Sequence, residues 1–185
     1  MKVAIYGAGN GGKMFSVLLK EQGHEVVYFI DDFEKGCVKP KQHNKLIPVL
    51  AAIFNNKIRL KIVEDFDAIT FIHHTAFVYP TARIGKGTII KPCCMIGNNV
   101  IIGKGCIIDS GVKIEHDSVI NDGVFISVGS NVGSSVVVGK NSLIGIGCNI
   151  QTGVHIGKDC IICSGVTVFN NVLDGEKVKW RVALK

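Results

Sequence analysis

A chain of 185 residues, 47% of them hydrophobic, has room for one domain or two small ones. Its net charge of +6 comes from scattered lysines rather than a basic cluster interleaved with aromatics, which argues against nucleic acid. No apolar run is long enough to span a bilayer, and the start reads as a strand rather than a leader, so a cytoplasmic protein is expected.

Val3 to Tyr6 reads as a buried strand. Gly7-Ala8-Gly9-Asn10-Gly11-Gly12 follows, then a helical stretch from Lys13 to Gln22 that Gly23 ends. A second strand, Glu25 to Ile30, runs into Asp31-Asp32. A G-x-G-x-x-G turn between strand and helix, with an acid about twenty residues on, is a dinucleotide fingerprint. A complete dinucleotide domain needs about twice the residues present before the next change of pattern. The expectation is therefore a Rossmann-like α/β half that holds one nucleotide. Gly7, Gly9, Asn10, Gly11 and Gly12 would face a phosphate. Asp31 and Asp32 would accept hydrogen bonds from a base or ribose. The competing reading is a small α/β cap whose glycines serve only tight packing. A third apolar run spans Leu46 to Phe54, Asn55 or Asn56 can cap a helix through Phe66, and Ala68 to Ile72 reads as a last strand. His73-His74-Thr75-Ala76 lies at a junction and reads as structural.

From Val78 to Val168 every sixth residue is Ile or Val, without interruption. Four places after each comes a small or β-branched residue, such as Thr88, Cys94, Val112, Ser118 or Cys148. That small residue and the next Ile or Val are two apart, so they share one face of a strand. Glycines fall between these pairs, at corners. A fixed short period with nothing inserted marks a solenoid. Of seven cysteines, Cys94, Cys106, Cys148 and Cys160 fall at the small inward position and read as small hydrophobes; no zinc-type spacing appears. The division expected is residues 1–74 for the α/β part and 75–185 for the solenoid.

The hexads resemble the left-handed parallel β-helix of the hexapeptide-repeat acyltransferases. That resemblance implies three hexads per coil and just over five coils, about 25 Å tall. An α/β domain of this size ahead of such a solenoid is similar to the sialic acid O-acetyltransferase family, which includes N-acetyltransferases of UDP-, GDP- and dTDP-linked 4-amino sugars. The resemblance implies a homotrimer that takes acetyl-CoA and a nucleotide-linked amino sugar and needs no metal. Ile114-Glu115-His116-Asp117-Ser118 matches the family's catalytic stretch, which makes His116 the general base and Asp117 its support. Phe125 and Ser134 occupy cofactor-contacting positions, and Ser134 would stack one coil above His116. The chain departs from the family at Gly11 and Phe125, where a His is common, at Ser134, where Gly is common, at Asn121 in an Ile-Gly-Asp corner, and in the tail around Trp180-Arg181. Two other readings stand: O-acetylation of a sialic acid or related sugar, and a non-catalytic trimeric binding protein with a vestigial site.

Overall fold

The computed structural model describes residues 1–179, so Trp180-Arg181 lies outside the described residues. The chain opens with strand β1 (Lys2–Tyr6), helix α1 (Asn10–Glu21) and strand β2 (Glu25–Ile30). Strand β3 (Val49–Ala51) and helix α2 (Asn56–Asp65) follow. The three strands form a parallel sheet in the order β2-β1-β3. Helix α1 begins three residues before the expected Lys13, because the glycines of the turn already belong to its first turn. Asn55 caps α2, its side chain accepting the Ile58 N–H at 3.1 Å. Alternate residues of the sheet face opposite sides. Val3, Ile5 and Leu50 pack against Phe15 and Leu19 of α1, whereas Ala4, Val49 and Ala51 pack against Ile62 and Val63 of α2.

From Phe71 onward the chain winds as a parallel β-solenoid of about six turns, in which each two-residue strand pairs with the strand 18 residues away. This is longer than the hexad count implies. Phe71–Ile72 adds a strand before the first expected hexad, and Lys177–Val178 closes the stack at a spacing of 16. The expected strand from Ala68 is thus only Phe71–Ile72, and it belongs to the solenoid. Three sheets of seven, six and five strands make the walls. The inward residues, among them Ile90, Ile96, Ile102, Ile114 and Ile126, form one aliphatic core.

The small inward positions have a second role. The Thr88 hydroxyl donates to Gly103 O at 2.7 Å and accepts the Cys106 N–H at 3.0 Å. Ser118 and Ser142 repeat this at their own levels. The buried cysteines donate likewise: Cys106 Sγ to Asn121 O at 3.1 Å and Cys148 Sγ to Cys163 O at 3.1 Å. They therefore act as weak donors to corner carbonyls, not only as small hydrophobes. Burial pushes the Cys106 thiol up to about 12 and the Cys94 thiol up to about 11, which leaves both unreactive.

The two halves share a core. The outward residues of the seven-stranded sheet, Phe71, Ile89, Ile107 and Phe125, join Phe15, Leu19 and Leu50 in one cluster. Helix α2 lies along the corners between the five- and seven-stranded sheets. Gly87, at φ +70°, faces Val63, and a Cβ there would meet that side chain. Arg59 is fully buried and reaches across the seam, donating to Gly105 O at 2.7 Å and Gly123 O at 3.0 Å. Desolvation lowers its guanidinium from the ordinary value to about 10, so it remains charged at neutral pH. Arg59→Met would leave several buried carbonyls without donors. It should cost about 3 kcal/mol and lower the melting temperature by about 10 °C; a melting curve close to wild type would show that the seam does not depend on this side chain.

Candidate active site

His116 and Asp117 stand at a corner between the six- and five-stranded sheets. Ile114 and Ser118 on either side are fully buried, which fixes the backbone and leaves the two polar side chains outside. The His116 side chain is 55% exposed, and its Nδ1 lies 2.8 Å from Asp117 Oδ2. Asn99, 18 residues earlier in the coil below, donates Nδ2–H to Asp117 Oδ1 at 3.0 Å. The bond to His116 first, and that from Asn99 second, hold the Asp117 carboxyl below the usual carboxylate range. It is therefore ionised at neutral pH and can support positive charge on the ring. The coil above is fastened to this corner by Ser135, whose N–H donates to His116 O at 3.0 Å. The Ser134 N–H has no hydrogen-bond partner among the described residues, and its hydroxyl lies 3.4 Å from Thr152 Oγ1. Phe125 stands elsewhere. Its ring packs on Phe54 in the core shared by the two halves, with centroids 5.6 Å apart. Of the two cofactor-contacting candidates, only Ser134 shares the His116 corner.

The glycines of the first turn divide into two groups. Gly12 lets α1 approach β1, since a Cβ there would lie on Gly7 O. The space beside Gly11 is filled by the Phe54 ring. Gly9, in contrast, has open space around it and extended backbone, and Asn10 beside it is exposed. The first N–H groups of α1 lack intrahelical partners by construction and no side chain caps them, so they remain available to an anion.

The two acids differ in the same way. Asp31 accepts from Ala8 N–H at 3.0 Å, Phe33 N–H at 2.9 Å and Glu34 N–H at 3.2 Å. Its carboxylate thus ties the glycine-rich turn to the segment after β2. These bonds, that from Ala8 first, hold its pKa below the ordinary carboxylate value. Among the described residues the Asp32 carboxylate accepts only from Tyr6 OH, at 3.2 Å, and it lines a groove of about 850 Å³ with Lys39, Lys41, His43 and Lys45. Lys39 Nζ donates to Asp31 O at 3.2 Å and Asp32 O at 3.0 Å. Sequence reasoning missed Asn99 and these lysines. The coil period of 18 would have found Asn99; no periodicity marks the lysines, which sit in the loop and short 3₁₀ turn between β2 and β3.

A family model described as the GMPPB C-terminal domain matches residues 67–178, more than half of the chain and all of the solenoid's described strands. The chain belongs to that family. Among solved structures, the acetyltransferase domain of PglB from Neisseria gonorrhoeae, in complex with acetyl coenzyme A, is 25% identical. The match has a TM-score of 0.88 and covers 96% of this chain and 95% of that one. PerB from Caulobacter crescentus, in complex with CoA and GDP-perosamine, is 26% identical with a TM-score of 0.84, covering 94% and 91%. WeeI from Acinetobacter baumannii, 24% identical with a TM-score of 0.85, shares the fold over 97% of both chains. The resemblance to the hexapeptide-repeat acetyltransferases is thereby borne out across both halves of the chain.

The role of Asp31 can be checked without any ligand. Its hydrogen bonds stabilise the turn above the ordinary carboxylate pKa and are lost as pH falls through the depressed one. Asp31→Ala should raise amide exchange at Ala8, Phe33 and Glu34 by about tenfold at neutral pH, while the solenoid amides stay protected. Unchanged exchange at those three amides would show that the carboxylate does not hold the turn.

Proposed function

We propose that this chain is an acetyl-CoA-dependent N-acetyltransferase acting on a nucleotide-linked 4-amino sugar. The observation that carries the reading is the Asn99–Asp117–His116 chain of hydrogen bonds on an exposed solenoid corner. Acetyl-CoA as co-substrate is supported by the PglB domain, and an amino-sugar acceptor by PerB with CoA and GDP-perosamine. Within the described residues no helix is long and apolar enough to cross a membrane, which accords with work on soluble substrates in the cytoplasm.

The chemistry is a direct transfer. The sugar amine nitrogen attacks the thioester carbonyl carbon. His116 Nε2 takes a proton from that nitrogen as its bond to carbon forms, and Asp117 stabilises the imidazolium through Nδ1. Negative charge gathers on the carbonyl oxygen, where the unpaired Ser134 N–H can receive it. Collapse breaks the carbon–sulfur bond. The proton held by His116 passes to the departing thiolate, giving CoA and the acetamido sugar.

The nucleotide would lie on the α/β half, a Rossmann-like unit that ends before Phe71 rather than at residue 74, with phosphate at the free N–H groups of α1 and base or ribose toward Asp32. The solenoid would form the acyltransferase half, a left-handed β-helix. In a single chain these two sites face apart. The α/β half covers the seven-stranded sheet, whereas His116 lies at the opposite corner of the triangle. Their heights nearly agree, because Phe54 beside Gly11 packs on Phe125, in the coil directly after that of His116. A three-fold axis parallel to the solenoid would preserve height and turn His116 of one chain toward the glycine-rich turn of the next. The apolar outer residues Ile101, Val119 and Val137 of the five-stranded sheet would form the contact.

Turnover followed by thiol release, with UDP-, GDP- and dTDP-linked amino sugars, tests the activity. His116→Ala should lower kcat by about 10²–10⁴ with little change in KM for acetyl-CoA, and should remove the limb of the pH profile that rises through neutrality. Near wild-type turnover would reject His116 as the base. Gly9→Val should fold normally, since its side chain meets nothing, yet should lose nucleotide-sugar binding and keep acetyl-CoA binding. Mixing inactive His116→Ala with inactive Gly9→Val chains should restore activity, because a homotrimer built this way pairs an intact turn with an intact His116. No recovery in mixed assemblies would mean that each chain carries its own complete site.

A further inference from the structure

A second cluster of ligating side chains lies where α1 meets the first coil, remote from the His116 corner. Glu21 ends α1, and His73 and His74 follow the first solenoid strand. His73 Nε2 is 3.5 Å from Glu21 Oε2, and His74 Nε2 is 4.0 Å from Glu21 Oε1. The ligand atoms of the three all lie within 4.8 Å of one another. We propose that Glu21, His73 and His74 form a binding site for a divalent transition-metal ion, zinc by its ligand chemistry, which clasps α1 to the start of the solenoid.

The donor set suits that ion. Two imidazoles and one carboxylate are borderline and hard ligands of the kind zinc takes, leaving a fourth position for water. With bonds of about 2.0–2.1 Å to a tetrahedral ion, neighbouring ligand atoms sit about 3.3–3.4 Å apart. The His73–Glu21 spacing of 3.5 Å is close to that value, and the half-exposed His74, at 4.0 Å from Glu21, would close by about half an ångström. A direct charge-assisted hydrogen bond would instead draw the pair to about 2.8 Å.

The surroundings hold the ligands ready. His73 is 3% exposed, and its Nδ1 lies 2.8 Å from Thr75 Oγ1. That oxygen already accepts the Cys93 N–H at 3.1 Å, so it can take the place of the outer partner that metal-bound imidazoles commonly have. The Thr75 N–H also donates to Nδ1 at 3.3 Å, so Thr75 holds the ring from two atoms and leaves Nε2 facing the Glu21 carboxylate, where an ion would replace any proton on Nε2. Gln22 fixes both elements at once, donating to Ile72 O at 3.3 Å and accepting the His74 N–H at 2.7 Å. Glu21 and His74 are half-exposed, which gives the ion a route in. The site takes no part in acyl transfer and stands whether or not the proposed reaction is correct.

The full-length chain, stripped with a chelator, equilibrated with zinc and desalted, provides the test. One retained zinc per chain is expected. At a hundredfold excess of zinc over its Kd, the melting temperature should rise by about 5–10 °C. Glu21→Gln and His74→Ala should each lose both effects. Cys93→Ser and His155→Ala should keep them, which separates this site from adventitious binding to thiols or other imidazoles. Cobalt loaded into wild type should show a d–d spectrum without thiolate charge-transfer bands. Failure to retain zinc, equal retention by Glu21→Gln, or a thiolate spectrum would overturn the proposal.

Discussion

Removing a guanidinium from water costs several kcal/mol unless every donor is met, and at Arg59 all five N–H groups have acceptors without a single carboxylate. Nε reaches Gly105 O, one terminal nitrogen reaches Ile53 O and Phe54 O, and the other reaches Asn56 Oδ1 and Gly123 O. The acceptors come from the loop after β3, from α2 and from two successive coils. One side chain thereby sets the angle and height of the α/β half on the solenoid. Asn56 continues the seam one coil higher, donating to Asn141 O at 2.9 Å, and Lys57 ends it in an ion pair with Asp159 at 2.9 Å. The exposed ion pair adds little; the buried guanidinium carries the specificity, because its acceptors lie in fixed backbone. The height of the glycine-rich turn relative to His116 follows from this docking.

The solenoid interior is uniform, so its function must come from the outside. The three outer faces differ sharply. The seven-stranded sheet turns Phe71, Ile89, Ile107 and Phe125 outward and is covered. The six-stranded sheet turns Phe77 and Met95 outward in its first coils and Lys113, Asn131, Asn149 and Thr167 from there on, so it is polar from the level of His116 upward. The five-stranded sheet presents Ile101, Val119 and Val137, Ile101 being 44% exposed and the two valines half-buried among the described residues. His116 stands on the edge between the polar face and the apolar five-stranded one. That is where a polar reaction would meet a contact between subunits.

The solenoid was legible because its period is enforced twice, by the inward aliphatic residues and by the small residues that donate to corner carbonyls. The short α/β strands were also legible, and so was a cap at Asn55 or Asn56, which the structure assigns to Asn55, since capping and burial are local. The docking was not. Arg59 sits in a run of residues, Asn56 to Asp65, whose charge suggests an exposed helix, and its acceptors are backbone atoms far away in sequence that carry no residue signature. Phe54 and Phe125 meet for the same non-local reason. Within the candidate site, His116 and Asp117 were legible as neighbours. The division of labour between Asp31 and Asp32 was not, because two adjacent acids at a strand end look alike until the turn beside them is folded.

From Gly87 to Gly165 one position in each corner has positive φ, and glycine is the residue that takes it most easily. The chain places another residue there at Cys93, Asn99, Asp117, Ser135, Asn141 and Asp159. Each departure costs about 1 kcal/mol, less for Asn and Asp. These departures are not scattered. Asp117 holds His116, Asn99 holds Asp117, and Ser135 binds the His116 carbonyl. Asn141 and Asp159 receive α2. The Cys93 N–H bonds the threonine that supports His73. Asn99, Asp117 and Asp159 make these contacts with their side chains, whereas Ser135, Asn141 and Cys93 offer backbone atoms, as the glycine corners Gly105 and Gly123 do toward Arg59. At Asn99, Asp117 and Asp159 glycine would satisfy the backbone but forfeit the side-chain contact, so these three positions record a further demand on the outer surface.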